Sequence, residues 1–444
     1  MIMGSAKIKE ITWGLTTLLV GLLAMVMGVP VPLVLVLLGG LAIALMFHKG
    51  LILDFFAPWI IFPTVWLGAA LLSGIAITEM QGEWTSEVWI YMILAPLSFA
   101  LPAFAHFVKE RRWPKPGPLQ LDWDGKRLII VLGSLFLLCL AALSFEYYQL
   151  GTIPLFSPEI ELLRFEVMQN GYIHTFAVSF KTVLMVSLVY LMADPGMPRR
   201  RRWQLHAIIT SSCLALITLG SRGQILIPLA VTVIAYHYLR RSFSLKRIML
   251  LGFCGFSLVS LMAFFRFYLL FGDSYIQSLE DVGFPRWSAL AAPGYLSFSY
   301  NFEVFRKLVD TIPTLADFQL GRFVFYPVYT LLPGPQESLG EFQNYLWNVD
   351  FRGELTATFL GTLYADFGVV GIMLGSMIIG GVALYLYRRL AEARTPVNVL
   401  LYSYFTFALI FSTYTYPYSF SFFWEIGLFL LINRLARRRK EVTA

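Results

Sequence analysis

GDSYIQSLEDVGFPRWSALAAPGYLSFSYNFEVFRKLVDTIPTLADFQLGRFVFYPVYTLLPGPQESLGEFQNYLWNVDFRGE, residues Gly272–Glu354, is the only long polar segment in a chain otherwise made of apolar runs. It carries Arg286, Arg306, Lys307, Arg322 and Arg352 among many Tyr, Phe, Trp and Pro residues. Apolar runs of membrane-span length flank it on both sides. A structureless loop this long is unusual, and long loops tend to serve a function. The stretch is therefore expected to fold as a cap over a membrane cavity, with chemistry beneath it. Inside it, Phe302, Phe305, Val309 and Ile312 recur at helical spacing. This predicts a helix whose apolar face rests on the bilayer or on neighbouring spans.

The rest of the chain sets the class. Of its 444 residues, 58% are hydrophobic and 14% charged, against about 25% charged in a soluble domain. Mean hydropathy is +0.69. No globular core hides that much apolar surface from water, so the expected fold is an all-α polytopic membrane protein. The net charge of +7 sits mostly in short loops between spans, where it orients the chain in a bilayer and does not signal nucleic acid. Cys139, Cys213 and Cys254 all fall inside apolar runs, with neither disulfide nor metal-ligand spacing. The apolar run ending at Gly28 is too long for a signal peptide and reads as an uncleaved first helix.

Crossing the hydrocarbon core takes about 20 apolar residues. On that rule about twelve transmembrane helices are expected: Ile11–Gly28, Val31–Phe47, Ala57–Ile77, Val88–Val108, Leu128–Tyr147, Tyr172–Ala193, Gln204–Leu219, Ile225–Leu239, Ile248–Phe267, Gly368–Tyr387, Asn398–Tyr414 and Phe420–Asn433. Residues 1–271 then hold helices 1–9, residues 272–354 form the large outer loop between helices 9 and 10, and residues 355–444 hold helices 10–12 and a basic tail. With both termini cytoplasmic, 25 of the 34 Lys and Arg residues fall on the inner side, as the positive-inside rule requires. The short outer loop Thr78–Glu87 carries three acids and no base and is expected to be a plain solvated turn.

The exceptions to that charge rule are the candidate ligands. Arg222 sits in Gly220-Ser-Arg-Gly223, between two short spans. That turn is expected to dip below the outer surface, with glycines that let backbone amides approach an anion. Arg266 ends helix 9. Arg164 lies in the loop Gly151–Gly171, where Ser157-Pro158 predicts a helix start. With Arg286, Arg322 and Arg352 it gathers guanidinium groups on the one side where the rule disfavours them, and guanidinium suits bidentate phosphate binding. Lys181 lies near mid-span, where a charge faces the bundle interior and either pairs with a carboxylate or meets substrate. His174, on the same helix face, is the only one of five histidines expected on the outer side, and so the only imidazole available there for proton transfer. Asp366 and Glu354, at the outer end of helix 10, are carboxylates placed to act as a base or to pair an arginine. No P-loop, HExxH, GxSxG or dinucleotide fingerprint is present.

Three segments together resemble the bacterial oligosaccharide repeat-unit polymerases of the Wzy type. They are Ile153-Pro-Leu-Phe-Ser157 with Arg164, Gly220-Ser-Arg-Gly223, and Thr358-Phe-Leu-Gly-Thr-Leu-Tyr-Ala-Asp-Phe-Gly368. The resemblance implies a GT-C-like, metal-independent glycosyltransferase without cofactor, in the bacterial inner membrane. Donor and acceptor would both be glycans on undecaprenyl pyrophosphate, met on the outer face, with a chain-length regulator as a further partner. It also implies that Arg164, Arg222 and Arg266 are the family's outer-face arginines. Two other readings stay open: an O-antigen ligase-like enzyme using the same donor, and a flippase or transporter. Related ligases use a histidine in the late outer loop, and Gly272–Glu354 has none.

Overall fold

A computed structural model describes residues 54–74, 77–110, 114–157, 171–219, 221–332, 336–349 and 355–438. Its elements are helical: α1 (Pro58–Gly74), α2 (Ser86–Glu110), α3 (Gly125–Leu150), α4 (Gly171–Val178), α5 (Phe180–Ala193), α6 (Arg199–Thr218), α7 (Arg222–Leu239), α8 (Leu245–Phe271), α9 (Asp273–Asp281), α10 (Ala292–Thr311), α11 (Tyr326–Tyr329), α12 (Leu339–Leu346), α13 (Thr358–Glu392), α14 (Pro396–Phe411) and α15 (Phe420–Ala436). Among the described residues, sheet-like pairing is limited to two isolated bridges.

Ten of the twelve expected spans coincide with these helices, α4 and α5 together making one. The first two, Ile11–Gly28 and Val31–Phe47, lie outside the described residues. By length and composition five helical stretches can cross a membrane: Ser86–Glu110, Gly125–Leu150, Gly171–Ala193, Lys246–Phe271 and Thr358–Glu392. Three others, Pro58–Gly74, Gly223–Leu239 and Pro396–Phe411, are apolar but shorter. The protein is thus an all-helical, multi-pass membrane protein.

Two compact units divide the chain. The first draws on Met1–Phe104, Ser244–Gly380 and Ile410–Tyr416. Its core is aromatic. Trp66 of α1 is fully buried, with ring centroids 5.1 Å from Phe302 and 5.0 Å from Phe359. The helix expected at Phe302 is α10, and Phe302, Phe305, Val309 and Ile312 are all buried. Its apolar face therefore rests on protein, not on lipid. A second cluster, Phe264, Leu279, Phe284, Ala289 and Ala292, ties α8, α9 and α10 together. The long polar stretch is built into this unit as helices with a core of their own.

The Thr78–Glu87 loop is not the solvated turn expected of it. Gln81 bonds the Ser73 carbonyl at 2.8 Å and accepts from the Tyr295 hydroxyl at 3.0 Å. Trp84 stacks on Phe302, and the Glu79 amide donates to the Val282 carbonyl. An acid-rich composition hid two aromatic and amide groups that lock the loop to the polar stretch.

The second unit takes Ala105–Phe243, Gly381–Leu409 and Pro417–Ala444. Asp124 caps α3, accepting from the Lys126 and Arg127 amides at 2.9 and 3.3 Å. Those bonds hold its carboxyl below the usual carboxylate range. The strap before it, residues 114–124, clips onto two helix ends. Gln120 donates to the Arg394 carbonyl and Gly117 to that of Ala391, beyond and at the end of α13; Asp124 donates to Ala436, and Arg438 donates to Asp122. The Trp123 indole donates to Asn433 at 2.8 Å. Three basic segments that the charge rule put on one side are thus joined at one place.

Candidate active site

In the second unit, one corner collects several sequence candidates. Glu146 sits in the last turns of α3, 20 residues beyond Lys126, or roughly 30 Å along the helix at about 1.5 Å per residue. It is therefore a membrane's thickness from the basic strap. His174 begins α4, which packs along α3. Its Nδ1 lies 3.1 Å from Glu146 Oε1, with side-chain exposures of 17% for His174 and 2% for Glu146. The other Glu146 oxygen is buried without a hydrogen-bond partner. The next residue, Tyr147, meets Thr218 hydroxyl to hydroxyl at 2.5 Å. Thr218 ends α6, and Arg222 opens α7 after an extended Ser221. The Arg222 side chain is not among the described groups. Its backbone stands in the first turn of a helix, where amides lack intrahelical partners and favour anions. Gly223 beside it is open, with nothing near its Cα hydrogens.

The loop leaving this corner turns at Gly151, held at φ 67°, into a short 3-10 helix Pro154–Phe156. That turn packs on α6 and leaves Phe156 exposed. Arg164, further along the loop, lies outside the described residues.

The first unit holds a different arrangement around Asp366. This residue is fully buried. Its carboxylate accepts the Phe323 amide at 3.0 and 3.2 Å and the Val324 amide at 2.6 Å. Two backbone bonds, Gln319 to the Ala365 carbonyl and Leu320 to the Asp366 carbonyl, add to it. Leu320 and Gly321 take φ values of 50° and 100°. The carboxylate is thus occupied in holding a tight turn, which presents Arg322. That guanidinium lies 2.6 Å from Glu337 and over the Phe323 ring. Burial, then the Asp366 charge, pushes the Tyr416 hydroxyl up to about 12. In this geometry the Asp366 carboxylate anchors the turn that carries Arg322.

Arg286 is exposed in the 3-10 turn Arg286–Ser288, next to an open Trp287. Arg266 is half-buried near the end of α8. Arg352 and Glu354 lie outside the described residues. Arg306 is held by Glu303 and Asp310 at 2.6 and 2.5 Å. Lys307 lies 4.4 Å over the Trp347 ring.

Of the two roles left open for Lys181, a carboxylate pair or a substrate contact, the geometry shows the pair. Its ammonium is 2.6 Å from Glu425 of α15, both side chains being at most 6% exposed. A charge inside an apolar bundle needs a partner of opposite sign, and Glu425 supplies it. The structure also adds Glu146, absent from the sequence candidates. Both acids carried the same signal, a single carboxylate inside an apolar run. Among the described residues no three His, Cys, Asp or Glu side chains gather as a metal site.

The helical architecture and the buried charges define a polytopic membrane protein. Residues 32–412 match the family described as "Putative O-antigen polymerase", and the chain belongs to that family. Its role is that of a polymerase in polysaccharide assembly. No curated protein and no solved structure gives a significant match.

Proposed function

We propose that the protein joins oligosaccharide repeat units carried on undecaprenyl pyrophosphate, by metal-independent glycosyl transfer on the outer face of the bacterial inner membrane. The observation that carries this reading is the corner where Tyr147 ties α3 to the end of α6. Glu146, paired with His174, precedes that tyrosine in the chain, and Thr218 stands four residues before Arg222 at the start of α7. His174 accepts the proton of the attacking sugar hydroxyl. Arg222 and the amides at the start of α7, with Arg164, hold the donor pyrophosphate and stabilise its charge on departure. In the first unit, Arg322, presented by the Asp366 turn, is a candidate phosphate contact in its own right, with Arg266, Arg286 and Arg352 as further candidates.

A reconstituted assay with a synthetic lipid-pyrophosphate repeat unit tests this. Wild type should give a ladder of products, and Arg222→Ala, folded, should lose it. Transfer of a single glycan to another acceptor would favour a ligase. Movement of intact substrate between leaflets without a ladder would favour a flippase.

A further inference from the structure

We infer that Glu146 is the positioning residue that makes His174 a proton acceptor, an inference that rests on the polymerase reading above. The pair differs from the other carboxylate contacts. Lys181 and Glu425 neutralise each other deep in the same unit. His237, also buried, spends its Nδ1 accepting the Phe243 amide at 3.0 Å. Arg306 is matched by two acids on its own helix. His174 lies against a carboxylate, and it keeps 17% of its side chain exposed while Glu146 keeps 2%.

Three consequences follow from that geometry. Because Nδ1 points at Glu146, the ring's other nitrogen lies on the opposite edge, away from the carboxylate. A carboxylate bonded to Nδ1–H fixes the tautomer in which Nε2 carries the free lone pair. Finally, Glu146 is a buried carboxylate with one oxygen unpartnered. A lone buried anion is costly, and a positive charge arriving next to it relieves the cost. A proton transferred to His174 would place that charge beside Glu146. Nearby, Tyr147 turns to Thr218 and leaves the imidazole to Glu146.

In the step this serves, the acceptor hydroxyl oxygen forms a bond to the donor's anomeric carbon. The bond from that carbon to the pyrophosphate oxygen breaks, and the lipid pyrophosphate leaves with the electron pair. The hydroxyl proton passes to His174 Nε2. The imidazolium is held by Glu146 until it returns the proton to water.

The test uses the full chain in liposomes with donor and acceptor repeat units. Glu146→Gln keeps size and hydrogen bonding but removes the charge. It should lower kcat by roughly tenfold to a hundredfold and leave KM within about twofold, with Glu146→Asp recovering part of the loss. His174→Asn keeps a partner for Glu146 but has no Nε2; folded, it should lose turnover while still binding undecaprenyl pyrophosphate. It decides the matter if Glu146→Gln fails to fold. A Glu146→Gln enzyme with wild-type kcat, or a folded His174→Asn that polymerises normally, would overturn this inference while leaving the polymerase reading intact. Wild type that makes no ladder from a competent substrate would overturn both.

Discussion

Lys181 shows how a residue's place in an apolar span constrains what must meet it. Its mid-span position announced a charge that must face the bundle interior, and Glu425 meets it at 2.6 Å. Removing one member of a buried pair leaves the other uncompensated, at a cost of about 3–5 kcal/mol. Lys181→Met should therefore lower the melting temperature in detergent sharply, and Lys181→Met with Glu425→Leu should recover much of it. A single mutant as stable as wild type would show the pair to be dispensable. Asp366 makes the companion case. Asp366→Ala orphans the Phe323 and Val324 amides, each worth about 1–3 kcal/mol when buried and unmet. It should open residues 319–324 to protease and impair polymerisation more than Arg322→Ala does, whereas Asp366→Asn, which keeps an acceptor oxygen, should be milder. Sequence accounting found these sites unevenly. Cations stood out because the orientation rule left nine of them unexplained. Glu146 and Glu425 obey no such rule, and their meaning appears only when another helix brings a partner.

At the scale of elements, α13 is the most constrained. The span was expected to begin at Gly368, and there the helix breaks, with φ 59° and ψ −145° inside its 35 residues. A side chain at Gly368 would take an unfavourable backbone region and meet the Phe318 ring at 3.0 Å. Gly368→Ala should cost about 1–3 kcal/mol, seen as a lower melting temperature. Further along, Gly380 faces the Phe99 carbonyl of α2 so closely that a Cβ there would collide with it. Small residues allow such backbone approach between membrane helices. Gly380→Leu should destabilise by about 1–3 kcal/mol through overpacking. Gly381, with open space around it, should accept Ala without loss. Equal effects at 380 and 381 would count against the close crossing. The existence of α13 was legible from apolar length. Its break and its crossing partner were not, because they depend on backbone separation that hydropathy does not encode. The Thr78–Glu87 loop was misjudged for a related reason: composition describes what a loop can tolerate, whereas Trp84 and Gln81 decide what it touches.

For the whole molecule, the charge pattern was the most legible feature. It grouped the strap 114–124, the end of α13 and the tail after α15 on one side, and backbone hydrogen bonds join those three. Cysteines at Trp287 and Tyr345, both highly exposed, should react with an impermeant maleimide from outside the cell once Cys254 is replaced. Cysteines at Lys115 and Gln120 should react only after the membrane is opened. Labelling of all four from one side would refute the orientation. The strap also bears on how the protein is made. Asp122 and Asp124 wait for Arg438 and Ala436, which emerge from the ribosome more than 300 residues later. The earlier helices of the second unit must therefore persist in the bilayer as an unclosed intermediate throughout synthesis. A chain ending at Arg434 keeps the strap's bonds to Ala391, Arg394 and Asn433 but lacks the two that Ala436 and Arg438 supply.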